Sequence, residues 1–328
     1  MVRKALGFVA VAALVLACGS SSSREAGFDD NAAGGENGIG GNGNGDNGSL
    51  GGNTPPPAEK VEECTKMDIL FVVDDSGSMK EEQDNLAKNF PKFVQKIQSF
   101  KTKSGSALDW RLAVTTTARN LTYSIATPIG TLPMTEKGDD GAFRHKGCAT
   151  SKKWVEKSDA DPIKTFSCMA KAGTGGASIE MPLYATQLAL VDRVKDGTNT
   201  GFLRPDALLA VVILTDEDDC SREDNNFTIQ SDACDSMAEV KPVSNYKQML
   251  DTVANGPGRW ATAVIAGEKK CSSSFGDALE AKRLKDFVSL AGNNGTFSSI
   301  CEGDLTNALE KALDKFDAAC KQLPPPIK

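Results

Sequence analysis

The chain has 328 residues with 40% hydrophobic, 25% charged and 6% aromatic content, a composition that can build a core and excludes a fibre or a wholly disordered chain. Its 37 basic and 44 acidic side chains leave a formal net charge of -7, which argues against a nucleic-acid partner, because phosphate binding needs clustered Lys and Arg. A single histidine, His145, leaves Ser-His-Asp and Cys-His nucleophile mechanisms and multi-histidine metal sites resting on one residue.

The first 60 residues read as export and tether. Arg3 and Lys4 precede an apolar run from Leu6 to Ala17, and Cys18 and a serine string follow. That layout is a secretory signal over residues 1–17, and its 12-residue apolar run is short of the roughly 20 residues a spanning helix needs. Ala17 followed by Cys18 resembles the processing site of bacterial lipoproteins, which implies a lipid on Cys18 and a membrane anchor there. Gly19 in place of Asp implies, by the same resemblance, the outer membrane of a Gram-negative cell, at its periplasmic face or the cell surface. Residues 18–60 hold 12 of the 31 glycines and close with Pro55-Pro56-Pro57. They read as a flexible linker with a reach of roughly 35 Å.

From Cys64 onward apolar runs alternate with helical patterns. Met67 to Val73 is apolar apart from Asp68, the signature of a strand buried on both faces. Lys80 to Phe100 is helical, with Leu86, Phe90, Phe93, Val94 and Ile97 on one side and Pro91 as a kink or break. Trp110 to Thr117 is a second strand. Leu121 to Lys171 departs from the rhythm: it is polar, with Pro128, Pro133 and several glycines, and reads as a disulfide-pinned loop inserted on the face where strands end. A helix from Pro182 to Val194, a strand from Leu208 to Leu214 and a helix from Ser244 to Ala254 follow. Then come a strand from Trp260 to Ala266, a helix from Gly276 to Ala291, a short edge strand from Gly295 to Ile300 and a closing helix from Asp304 to Cys320. This order predicts an α/β fold: a doubly wound, mainly parallel sheet flanked by helices on both faces, in a single domain over residues 61–323, with a Pro-rich tail at 324–328.

Nine cysteines are present. With Cys18 lipidated, eight remain, and an even remainder in an exported chain implies disulfides. Eight cysteines allow 105 connectivities. Nearest-neighbour pairing suggests Cys148–Cys168, Cys220–Cys234 and Cys271–Cys301, leaving Cys64–Cys320 to close the domain. A zinc site lacks CxxC spacing.

The first strand runs into Asp74-Asp75-Ser76-Gly77-Ser78-Met79, which sets a carboxylate and two hydroxyls at alternate positions, Asp74, Ser76 and Ser78. Hard cations take such oxygen ligands, and magnesium wants about six, so a second loop must contribute. The third strand runs into Thr215-Asp216, and ligands of open α/β sheets gather beyond the carboxyl ends of strands, which brings Asp216 toward Asp74. As a structural alternative, Asp74 and Ser76 would cap the helix that follows. The acidic run Asp216 to Asp219 reads as a solvated loop or a second cation site. The glycines Gly173, Gly175 and Gly176 let backbone pass close to an ion, and His145 reads as an exposed loop residue.

An apolar strand, DxSxSM, then a later apolar strand with Thr-Asp resembles the von Willebrand factor type A domain with its metal-ion-dependent adhesion site, over roughly Glu62 to Leu323. The resemblance implies a divalent cation, Mg2+ first and Mn2+ or Ca2+ as alternatives, held by Asp74, Ser76, Ser78 and Asp216. It also implies a threonine from a middle loop, which here reads Ala172 to Leu183; Ser178 falls near that position, with Thr174 or Glu180 as alternatives. One ion position would stay free for an Asp or Glu of a partner protein, with release through a shift of the last helix. The expected function is therefore non-enzymatic: a lipid-anchored envelope protein that grips an acidic partner residue through its ion, with no nucleic acid and no small-molecule substrate. Two alternatives stand beside it, a structural envelope protein with a vestigial site and a phosphotransferase using Asp74 as nucleophile. The last lacks an acid at the position of Ser76 to manage protons.

Overall fold

A computed structural model describes residues 63–230, 240–274 and 276–327. The expected signal, the lipid-bearing Cys18, the linker and Cys234 lie outside these residues. Everything described belongs to one unit, residues 58–328, separate from residues 1–57. Among the described residues no helix is long and apolar enough to cross a membrane.

The central sheet has the order β11-β8-β6-β1-β2-β5, built from β1 (Lys66–Val73), β2 (Asp109–Thr116), β5 (Val155–Glu156), β6 (Leu208–Leu214), β8 (Trp260–Ala266) and β11 (Gly295–Ser299). All neighbours run parallel except the short edge strand β5, which is antiparallel to β2. The chain first steps from β1 to β2 on one side, then returns to β6 on the other. The β1/β6 seam is thus the switch point where a crevice opens at the carboxyl edge.

Period-two alternation within β1 sends side chains to both faces. Met67, Ile69, Phe71 and Val73 face one core, shared with α1 (Lys80–Gln98), α2 (Pro162–Ala170) and α7 (Thr306–Lys321). Leu70 and Val72 face the other, shared with α3 (Pro182–Gln187), α5 (Val243–Val253) and α6 (Lys282–Leu290). The fold class is therefore the doubly wound α/β layout expected from the sequence. On the first face the ring of Phe71 meets Phe90, Phe93 and Phe166 edge-on at 5.8, 5.1 and 5.0 Å, contacts that add to simple area burial.

Four elements differ from expectation, one being the helix expected from Gly276, which begins only at Lys282 because a strand, Gly276–Ala278, precedes it. Helix α1 continues through Pro91, because its packed apolar face outweighs one missing hydrogen bond. The helix that starts at Pro182 passes after α3 into a π turn, Leu188–Asp192, before the short α4 (Arg193–Lys195). There the Asn199 side-chain Nδ2 donates to the Ala189 carbonyl at 2.9 Å, satisfying a group within the wider turn.

The fourth difference is the 121–171 interval, which is an elaborated insertion and not a loop. The strands β3 (Leu121–Thr127) and β4 (Gly130–Glu136) form a hairpin that pairs with β7 (Phe227–Ile229) in a second sheet. It continues into β5 and α2, whose Phe166, Met169 and Ala170 enter the main core. The Cys148–Cys168 disulfide does pin it, as expected. Cys64–Cys320 and Cys271–Cys301 also form, and Cys220 is disulfide-bonded.

Candidate functional site

In-register pairing of Val73 with Leu214 makes the loops after β1 and β6 leave the sheet side by side, and the Asp74 amide donates to the Leu214 carbonyl at 2.9 Å. The Asp74 carboxylate accepts from the Ser76 amide at 2.8 Å on Oδ1 and from the Thr215 hydroxyl at 2.6 Å on Oδ2. The Ser76 and Ser78 hydroxyls lie 3.0 Å apart, and Ser78 is near enough to Asp216 to hold its carboxyl down against burial. Asp74, Ser76, Ser78 and Asp216 thus belong to one connected set.

The middle loop contributes differently from expectation. Ser178 is exposed, and its hydroxyl donates to Glu136 of the β4 hairpin at 2.6 Å, so the structure engages this expected ligand elsewhere. Thr174 is exposed in the same loop. Glu180 is the candidate brought inward: it is buried, and its Oε2 has no partner among the described residues. Burial first, then the charges of Asp74 and Glu217, push its carboxyl well up from the ordinary range.

The same pressure acts across the site. Burial raises Asp74 to about 6, against the lowering effect of its bonds from Thr215 and Ser76. Burial and then the charge of Asp74 raise Asp216 to about 6. Asp75 rises to about 7 through burial and the charges of Asp139 and Asp74, opposed by Arg144. Glu82, in the first turn of α1, rises to about 7, mainly through burial. Asp75 Oδ1, Asp216 Oδ1 and both Glu82 oxygens are buried without hydrogen-bond partners among the described residues. Among those residues no three His, Cys, Asp or Glu side chains converge as a metal-sized group; the set at the β1/β6 seam mixes carboxylates with hydroxyls. Hard oxygen donors, crowded negative charge and an orphaned carboxylate oxygen fit a divalent cation.

The acidic run after β6 divides its work. Asp216 faces the site, and Asp218 accepts from the Arg283 and Leu284 amides at 3.0 and 3.2 Å, capping α6. Asp219 is fully buried; it accepts from the Leu183 amide at the start of α3 at 3.0 Å and pairs with Arg283 at 3.0 Å. Sequence reasoning assigned no role to Thr215, Asp75 or Glu82, and it placed Asp219 in a solvated loop or second cation site, whereas the residue is buried and held by Leu183 and Arg283. Thr215 carried a signal, a hydroxyl at the carboxyl end of a buried strand immediately before Asp216.

Of the three loop glycines, Gly176 makes the close approach. Its amide donates to the Asp75 carbonyl at 2.6 Å, and a Cβ there would sit 2.2 Å from Asp75 Oδ1. Gly176→Ala must therefore displace Asp75 and the loop beside it. A cost of about 1–3 kcal/mol is expected in urea unfolding, whereas Gly175→Ala, with nothing within 4 Å, should be far milder.

No family model matches the chain, and no curated protein does either. Similarity appears among solved structures. Proximal thread matrix protein 1 from the mussel byssus, in a form with a zinc-occupied MIDAS motif, aligns at 14% identity and TM-score 0.37 over 79% of this chain and 46% of its own. The pilus adhesin SpaC of Lactobacillus rhamnosus GG, in its open conformation, aligns at 11% identity and TM-score 0.37 over 80% and 30%. The human COPII-coat protein Sec24c aligns at 8% and 0.39 over 79% and 33%. The chain spans about half the length, or less, of these proteins. With TM-scores below 0.5, the fold assignment rests on this chain's own sheet order and register.

Proposed function

We propose that this chain binds a divalent cation at the β1/β6 seam and uses it to hold an acidic residue of a partner protein. The observation that carries the reading is the convergence of Asp74 and Asp216, through Ser76 and Ser78, with buried carboxylate oxygens that lack partners. Asp74, Ser76, Ser78 and Asp216 would hold the ion, and Glu180 replaces Ser178 as the further oxygen donor. The ion supplies positive charge to an otherwise anionic pocket. Mg2+ suits a small, oxygen-only set, with Mn2+ or Ca2+ as substitutes. The reading is non-enzymatic, and both Asp74 oxygens are already engaged by Ser76 and Thr215, which disfavours their use as a nucleophile. A lipid at Cys18 would hold the protein at the outer membrane.

Ion binding must displace protons from Asp74 and Asp216, both raised to about 6. Each is about one-tenth ionised at pH 5 and almost fully ionised at pH 8, so affinity should climb on the order of 100-fold between those values. Calorimetric titration of Mg2+, Mn2+ and Ca2+ into the purified chain at both pH values tests this. With Mn2+ bound, the methyl protons of added acetate should relax faster than with free Mn2+, reporting a carboxylate at the ion. An absence of heat and of thermal stabilisation at pH 8 in millimolar ion would leave the structural-protein reading.

A further inference from the structure

We propose that the cavity between the 139–148 loop and helix α2 binds a small organic anion, a phosphate or carboxylate carried on an apolar body. The cavity has a volume of about 260 Å3, near the lower end for small-molecule sites and suited to one ring-sized group. Its floor is apolar: Phe143 and Met169 are 4% and 1% exposed. Arg144, His145, Lys146 and Lys153 also line it.

Charge bookkeeping within the cavity leaves a positive surplus. The lining carboxylate Asp139 pairs with Arg144 at 2.9 Å. Lys153 donates to the Thr198 carbonyl, a neutral acceptor, and its charge acts on Asp196, which lies outside the cavity lining. Lys146 is exposed and forms no ion pair or side-chain hydrogen bond among the described residues. Two ammonium groups thus face one small cavity in a chain whose net charge is -7. The imidazole of His145 is half-buried at this rim, not freely exposed as the sequence suggested. Its Nδ1 lies 3.1 Å from the Phe143 carbonyl. A carbonyl only accepts, so the proton sits on Nδ1 and the ring is held in place with Nε2 directed elsewhere.

The two walls are joined covalently. Cys148 belongs to the loop and Cys168 to α2, so the cavity is preformed and a ligand does not have to order it. Anion and apolar body act together: the ammonium groups attract charge across a partly desolvated space, and Phe143 and Met169 reward burial of the body. Inorganic phosphate, with no apolar part, should bind much more weakly. The site shares no residue with the cation site, although its Asp139 and Arg144 act on Asp75 beside Asp74.

The test uses the full chain in EDTA, so its outcome does not depend on cation binding. Phenyl phosphate is titrated while the imidazole proton signals of His145, the one histidine, are followed by NMR. A saturable shift is expected, at least tenfold tighter than with phenol or inorganic phosphate. Benzoate binding comparably would support the proposal and assign recognition to charge and ring, whereas preference for phenyl phosphate would support it and assign recognition to the phosphate. The double variant Lys146→Ala, Lys153→Met should lose at least tenfold in affinity while keeping the parent's melting temperature. The proposal is overturned by an unmoved His145 signal, by phenol or inorganic phosphate binding as tightly as phenyl phosphate, or by undiminished binding in a folded double variant.

Discussion

Replacing Asp74 with asparagine will abolish divalent-ion binding and, at pH 8 without ions, leave the fold more stable than the parent. The two effects share one cause. Burial lifts the folded-state Asp74 carboxyl from 3.8 to about 6, so folding takes up a proton between those values. The stability linked to that proton is complete below about pH 3.8 and is lost as pH rises through about 6. At pH 8 the ion-free fold therefore carries an ionised carboxylate beside Asp216, Glu180 and Glu217, a burden on the order of 1–3 kcal/mol. Asparagine keeps the size and an acceptor for the Ser76 amide while removing the charge, and the Thr215 hydroxyl can turn to accept from the new amide.

Urea unfolding in EDTA at pH 5 and pH 8 reads the stability effect, and the rise in melting temperature on adding Mg2+ reads the loss of ion binding. The asparagine variant should gain stability at pH 8 and little at pH 5, with no response to Mg2+. Asp74→Ala separates charge from hydrogen bonding, because it strands the Thr215 hydroxyl and the Ser76 amide. It should lose ion binding without the gain. A Mg2+ response that persists in the asparagine variant would falsify the assignment of Asp74.

The second large effect comes from removing Cys64–Cys320. This bond closes a sequence separation of 256 residues, against 20 for Cys148–Cys168 and 30 for Cys271–Cys301. Loop-closure entropy makes it the most stabilising of the three, about 5–6 kcal/mol against about 3–4 kcal/mol for each of the others. Paired Cys→Ser variants compared in guanidinium unfolding should follow that order; equal losses, or a larger loss from Cys148–Cys168, would contradict it.

These bonds also bear on release. Cys320 lies in the last turn of α7 and is tied to Cys64 just before β1, while Cys301 precedes α7 and is tied to Cys271 on β9 (Cys271–Ser273). A slide of α7 by one turn, about 5.4 Å, would carry at least one bonded pair beyond the Cα separation a disulfide tolerates unless the tethered segments moved with it. Both tethers oppose the helix shift that the sequence resemblance implied.

The sequence alone determined the sheet's central strands, because β1, β6 and β8 are apolar on both faces and no other element accommodates such short runs. It also determined the oxygen-bearing turns at their ends, since strand ends and turn residues are local features, whereas the Cys64–Cys320 closure was only the remainder of a nearest-neighbour pairing until the structure joined the two. Tertiary structure decided the rest. The expected helix from Gly276 begins only at Lys282. Before it, β9 pairs with β10 (Gly276–Ala278), and the Leu279 amide donates to the Asp216 carbonyl at 2.8 Å. A Cβ on Gly276 would strike the Glu82 carboxylate 1.5 Å away, a constraint from a residue nearly two hundred positions earlier. Likewise, only the hairpin carrying Glu136 draws the Ser178 hydroxyl outward, while Glu180 turns in beside Asp74. Those choices depend on which distant groups compete for one side chain, and local spacing carries no record of that competition.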